Sequence, residues 1–343
     1  MTPLDQAAIF TIALLTALFV VVAAEWARER ALPPGSYLLV LAQQADETRA
    51  LTALGASGGE PRTLTADAAA FSAQPGGRRV AVITRGGALS VFDAATGETT
   101  RAAVCAHRCA DPAWRPVLAD GDGDTALVYS DVRADGSALL RWLDVETQER
   151  RPLLADPAVQ GRGAAWSADG ARLAFYDPAL PGVRVFDTGR PRAASLGQHV
   201  GASARFALSP DGAQLAYFDA GGVLVSAPAM GGKGRPLAVP PGEARSLRAA
   251  PSGWWLVVAQ AGGPGVLWAV GRDSAPVAHS ADTLNIRTAG VGGPGSLPVL
   301  EAAPWNRAGG PLPRGAVYVA GADGGFVPWM ADAAQPAWWV LPG

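Results

Sequence analysis

Apolar residues fall into one long run near the start of this chain, then into many short runs cut by turns. From Ala7 to Ala24 the chain reads AAIFTIALLTALFVVVAA without a charge. At ~1.5 Å rise per residue, such a helix nearly covers a ~30 Å hydrocarbon core. Trp26 follows where an interfacial aromatic belongs. A secretory signal peptide should carry a basic n-region and a short apolar stretch, whereas Met1 to Gln6 holds no Lys or Arg and the run is long. The pattern therefore predicts a tail over 1–6, a retained transmembrane α-helix over 7–26 and a linker over 27–34.

Beyond Gly35 the runs recur. Ala165-Trp166-Ser167-Ala168-Asp169-Gly170-Ala171-Arg172-Leu173-Ala174-Phe175 aligns with Ala207-Leu208-Ser209-Pro210-Asp211-Gly212-Ala213-Gln214-Leu215-Ala216-Tyr217, and each reads strand, turn, strand. Asp can bond its own backbone in such a turn, and Gly takes the left-handed conformation that reverses the chain. Fainter copies share the turn glycine: Gly35 before YLLVLA, Gly77 before RRVAVI, Gly123 before DTALVY, Gly253 before WWLVVA and Gly295 before SLPVLEA. By subtraction, the separations from Gly35 through Gly170 and Gly212 to Gly295 run 42, 46, 47, 42, 41 and 42 residues. A four-stranded propeller blade repeats every ~40–45 residues. The expected fold is thus all-β, a β-propeller over 35–343 of seven blades, with six or eight allowed by the weaker anchors Gly35 and Gly295.

Three units close on an aspartate and a polar turn: SVFDAATGETT, RWLDVETQERR and RVFDTGRPR. These read as the third strand and its exit, with Asp93, Asp144 and Asp187 accepting turn N–H bonds and Thr96 and Gly97 completing one turn. Past Gly295, the segments AVYVA, FVPWM and AWWVL offer strands for a final blade packed beside the first.

Composition narrows function mainly by exclusion. With 28 basic and 30 acidic residues the net charge is -2, so no basic field for nucleic acid exists. The 42 Gly, 28 Pro and 11 Trp suit short strands and tight turns.

Asp120, Asp122 and Asp124 alternate as oxygen ligands do in calcium loops. Thr125 stands where such a loop needs its glycine, however, and Leu127-Val128-Tyr129 reads as strand, leaving only Asp131 as a distal ligand. A polar hairpin turn is the plainer reading of this calcium candidate, and no other cofactor is expected. Cys105, His107 and Cys109 fall short of the four ligands of a closed zinc site, since the other histidines are only His199 and His279. Cys105 and Cys109 could instead form a small disulfide loop or remain two free thiols. No Gly-x-Ser-x-Gly elbow is present, and Gly231-Gly232-Lys233-Gly234, around the single lysine, lacks the spacing of a phosphate loop.

Trp254, Trp255, Trp268, Trp305, Trp329, Trp338 and Trp339 crowd the last third. Adjacent residues on a strand face opposite ways, so one ring of each of the pairs Trp254/Trp255 and Trp338/Trp339 must leave any single buried face. It would then meet either a neighbouring blade or a protein partner.

At Ser209-Pro210-Asp211-Gly212 with Leu215-Ala216-Tyr217, and at Ser167-Ala168-Asp169-Gly170 with Leu173-Ala174-Phe175, the chain resembles the TolB-like and WD-like propeller repeats. The resemblance implies a propeller with an interaction role and brings no catalytic residues. Peptidase relatives join such a propeller to a hydrolase domain, for which the repeat region leaves no stretch. The expectation is a non-enzymatic scaffolding subunit whose partners are other subunits of a membrane complex. A solute-binding sensor using the channel comes second, and an enzyme a distant third. Arg28 and Arg30 follow the helix with no basic residue before it, which points the propeller to the cytoplasm. The CAHRC pair and the family resemblance point outside, and outside is the reading adopted.

Overall fold

The fold was described from a computed structural model, over residues 31–44, 48–117, 125–156, 158–188, 196–250, 253–259, 263–271, 276–278, 284–290, 299–304, 316–320 and 326–341. The expected membrane helix over 7–26 lies outside these residues, and none of the described residues forms a helix long and apolar enough to cross a membrane.

Seven four-stranded antiparallel sheets make up the fold. From the axis outwards each blade has an inner, a second, a third and an outer strand. The second strands, in blade order, are Gly35–Gln43, Arg79–Thr84, Ala126–Val132, Arg172–Asp177, Gln214–Phe218, Gly253–Ala259 and Val299–Pro304. Every one of the seven anchor glycines starts or shortly precedes one of them. These strands form because they are apolar on both faces, and each face has a blade to pack against. Leu39 and Leu41 join the core with blade 2, while Leu38 and Val40 join the core with blade 7. Likewise Val80 and Val82 face blade 1 as Ala81 and Ile83 face blade 3. One hydrophobic cluster fills each interface around the circle, seven in all. A ring of six or eight blades is thereby excluded.

Inner strands run Ala68–Ala73, Arg108–Trp114, Arg162–Trp166, Phe206–Leu208, Glu243–Ala250 and Leu284–Gly290 in blades 2 to 7. The inner strand of blade 1 comes from the other end of the chain. Ala333–Leu341 pairs antiparallel with Gly35–Gln43, setting Gly35 opposite Leu341. This corrects one expectation: AWWVL belongs to the first blade and not the last. Lending the C-terminal strand to the N-terminal sheet closes the ring with backbone hydrogen bonds as well as with side-chain packing.

Antiparallel alternation places both ends of this domain on one face, here called lower, together with the turns between inner and second strands. Leu32 is buried there and its N–H donates to Ala94 O at 2.8 Å. Thus the end of the expected linker is docked on the propeller.

The two clearest repeats fold through the same bonds. In blade 5 the Ser209 hydroxyl donates to Asp211 Oδ1 at 2.6 Å and accepts from Gln214 N at 2.9 Å, while Ala213 N donates to Asp211 at 3.0 Å. Ser167, Asp169, Ala171 and Arg172 repeat that set in blade 4. Gly170 and Gly212 have φ of 64° and 65°, the left-handed region in which a Cβ is strained. On the third-strand exits, Asp93 accepts from Ala95 N and Asp144 from Glu146 N and Thr147 N, each at 2.9 Å. Asp187 instead lies 4.0 Å from Arg172 Nε.

Candidate functional site

A channel of about 1150 Å³ runs along the axis, walled by residues from the inner strands of all seven blades. Its wall is chiefly alanine and proline, with rings from Phe71, Trp114, Trp166, Phe206 and Trp338. Short residues follow from geometry, because seven sheet edges converge at the axis and leave little room for large side chains.

Among the described residues lining the channel two are charged, Asp111 in blade 3 and Arg248 in blade 6. Asp111 sits at a β-bulge between Ala110 and Ala113 with φ 49°. Its Oδ2 accepts the Gly163 N–H at 3.0 Å and the Ser130 hydroxyl at 3.4 Å, bridging blades 3 and 4. Arg248 projects into the lumen: its surface is exposed to the channel, yet wall atoms crowd it. The resulting loss of water pushes its guanidinium pKa down from the ordinary value.

Between blades the inner strands are stapled by indole N–H groups. Trp114 Nε1 donates to Ser72 O at 3.0 Å and Trp166 Nε1 to Ala113 O at 3.2 Å. Sequence reasoning passed over these two tryptophans because it followed the crowding further along the chain. Of the aspartates near the ends of the second strands of blades 3, 4 and 5 it weighed only Asp131, as a distal calcium ligand, and missed Asp177 and Asp219. Asp177 is buried and paired with Arg184 at 2.7 Å, Asp131 lies 3.3 Å from Arg141, and Asp219 accepts Gly221 N and Val223 N at 2.9 Å. The repeated Asp at one place in successive units was the available signal.

The paired tryptophans divide between neighbouring interfaces. Trp254 belongs to the core of blades 5 and 6, and Trp255 packs on that of blades 6 and 7. Trp339 belongs to the core of blades 1 and 2, and Trp338 packs on that of blades 7 and 1. Each pair thus puts one ring on either side of its sheet, with Trp254 and Trp339 buried and Trp255 and Trp338 half-buried.

Cys105 and Cys109 are joined in a disulfide. It staples the loop from the outer strand of blade 2 into the inner strand of blade 3, on the upper face. Cys109 N donates to Gly87 O at 2.7 Å. Gly87 has φ 76°, and a Cβ there would stand 2.6 Å from Arg108 Cβ, so the loop needs glycine beneath it. With both sulfurs bonded to each other, neither is a thiolate for zinc. His199 is buried far along the chain, its Nε2 3.0 Å from Ala229 O. The calcium candidates Asp120, Asp122 and Asp124 lie outside the described residues, as do Trp305 and His279. Among the described residues no group of three or more His, Cys, Asp or Glu could hold a metal. Gly231 and its neighbours form the expected inter-strand loop, with Gly231 N donating to Pro228 O at 3.0 Å.

The upper face carries most of the exposed large apolar side chains. Of six among the described residues, four lie there: Val104 beside the disulfide loop, Leu180 and Val200 on blade 4, and Val223 on blade 5. Register explains the grouping, because Val200 pairs with Gly182 directly after the turn bearing Leu180. A smaller groove of about 530 Å³ separates the outer strands of blades 1 and 2, with Arg62 and Glu98 in its wall. Arg62 there holds Ala31 O at 2.7 Å.

No protein-family model matches the chain, and no curated protein matches it by sequence. Solved structures do. TolB from Acinetobacter baumannii superimposes with a TM-score of 0.51 at 17% identity, over 89% of this chain and 66% of TolB. A prolyl endopeptidase gives 0.62 at 16% identity, over 95% of this chain and 54% of that enzyme. A chain of the mitotic checkpoint complex gives 0.56 at 15% identity, over 86% and 84%. At such identities the likeness shows the fold alone, a β-propeller. This chain spans about half the length of the prolyl endopeptidase.

Proposed function

We propose that this protein is a membrane-anchored scaffolding subunit, a propeller that docks other protein subunits of a membrane-associated complex and catalyses no reaction. The observation that carries the reading is the contrast between the two faces. Both ends of the described domain leave from the lower face, whereas Val104, Leu180, Val200 and Val223 are exposed on the upper one. An anchor over 7–26 would turn the lower face to the lipid and hold the upper face outward. A rigid surface already restricted to the membrane plane loses little freedom on binding. The mitotic checkpoint complex, among the structures with this fold, is an assembly in which a propeller takes part. The Cys105–Cys109 disulfide supports an extracytoplasmic propeller, since such bonds persist in oxidising compartments, although Arg28 and Arg30 argue for the other side.

The test is gentle detergent extraction of native membranes, native-size separation and mass spectrometry of what comigrates. A defined set of membrane subunits is expected, and its loss on Leu180→Asp with Val200→Asp would locate the contact. Migration as a lone chain would refute the scaffold reading.

A further inference from the structure

Buried charge in this propeller is nearly all neutralised in place: Asp177 has Arg184, and Asp131 has Arg141. Arg248, by contrast, is exposed to the channel and has no counter-ion among the described residues. Its one hydrogen bond among the described residues runs from Nη1 to the carbonyl of its own neighbour Leu247, at 3.0 Å. The other charge of the wall, Asp111, is three blades away around the ring. Asp111 lies in the middle of its inner strand, between the partners of Ser130 and Val128, whereas Arg248 pairs with Trp255 towards the lower end of its own. Asp111 moreover has its oxygen committed to Gly163 and Ser130.

A cation without a counter-ion in a largely apolar lumen attracts an anion more strongly than at an open surface, because low-dielectric walls focus its field. A planar guanidinium matches a carboxylate through two parallel N–H···O bonds. A phosphate dianion would call for a second cation, and Arg248 is the only one among the described residues of the wall. Elsewhere in the wall, alanines and the rings of Phe71, Phe206 and Trp338 offer apolar contact. The lumen is as large as sites that enclose small molecules of several hundred Å³. We infer that the channel binds a monocarboxylate carried on an apolar body, with Arg248 pairing the carboxylate and the alanine and aromatic wall taking the body. The group could belong to a free organic acid or to the C-terminus of a peptide. This inference stands on the channel alone, so it and the scaffold reading can fail separately.

Calorimetric titration of the full-length chain tests it with three probes of one shape: phenylpropionate, phenylpropanol and phenylpropylammonium. Saturable binding of the acid at one site is expected, with the alcohol and the ammonium weaker by about tenfold or more, the size of one charge-assisted hydrogen bond. Arg248→Gln should weaken the acid by a similar factor, and Arg205→Gln, outside the channel wall, should leave it unchanged. Thermal melts establish that each variant is folded. An apolar tripeptide, free or amidated at its C-terminus, separates the sources. Tighter binding of the free tripeptide than of phenylpropionate assigns the site to peptide ends, and the reverse assigns it to small acids. Equal binding of acid and alcohol, no loss in Arg248→Gln, or no binding of any probe at millimolar concentration would overturn the inference.

Discussion

Blades 3 and 4 use tryptophan differently from blade 6. In the former, Trp114 and Trp166 each donate an N–H to the inner strand of the preceding blade, so the ring fixes a relative position as well as filling space. In blade 6, Trp254 and Trp268 hold buried N–H groups that meet no acceptor among the described residues, and Trp338 of blade 1 does the same. A buried indole without its hydrogen bond contributes volume and contact area but loses the free energy of desolvating its N–H. Early neighbours are thus aligned by indole bonds, whereas blades 6 and 7 take their directional bonds from Asn285, whose Oδ1 accepts Arg245 Nη1 at 2.8 Å and Gly265 N at 2.9 Å. Trp339 belongs with the early type despite its place in the chain, because its N–H reaches Gly77 O at 2.9 Å across the interface between blades 1 and 2.

The largest effect is expected at that seam. Trp339 is only 2% exposed and its ring stands 6.4 Å from that of Tyr37. Trp339→Ala should cost about 3–5 kcal/mol, as measured by denaturant unfolding, since it opens a cavity and orphans a carbonyl where the ring closes. A loss no larger than about 1 kcal/mol would mean that packing elsewhere holds the circle.

A conservative exchange sharpens the contrast. Trp166→Phe should cost roughly 1–3 kcal/mol, combining the lost bond to Ala113 O with lost volume. In Trp268→Phe the volume loss is offset by removal of an N–H that has no acceptor among the described residues, so it should cost clearly less. Equal losses at the two positions would erase the distinction between early and late blades.

The smallest effect concerns acid. The Ser209 hydroxyl, followed by the Ala213 N–H, holds the Asp211 carboxyl below its ordinary pKa, and the Ser137 bonds do the same for Asp135 in blade 3. A carboxyl with a lower pKa in the folded than in the unfolded state adds stability above the unfolded value and loses it as pH falls through the folded one. Melting temperature should therefore decline as pH drops below ~4. Asp211→Asn should flatten that decline slightly. The corresponding turn of blade 6, Pro251-Ser252-Gly253, has no carboxylate to titrate.

Much of this architecture is legible in the chain because a propeller's second strand packs on both sides. Runs such as YLLVLA and RRVAVI are apolar at consecutive positions, and the glycine before each marks the lower turn. The candidate site was far less legible. Arg248 follows Ser246 and Leu247 in a strand whose sequence, EARSLRAA, has no feature of a site. Its meaning comes from the other inner strands, whose described residues lining the channel add no second cation. Trp254 and Trp255 likewise announce two opposite faces, but only neighbouring blades decide that both faces are interior.

The sequence by itself determined the repeat, its period, the turn chemistry of Ser167 to Gly170 and Ser209 to Gly212, and the proximity of Cys105 to Cys109. All of these are local, settled by backbone preferences and contacts within a few residues. Tertiary structure alone decided that seven units close the circle, that Ala333–Leu341 crosses back into the first blade, and which charges meet a partner. Such outcomes depend on contacts between residues up to three hundred positions apart, as Trp339 and Gly77 nearly are at a separation of 262. Local preference carries no information about partners that only ring closure brings together.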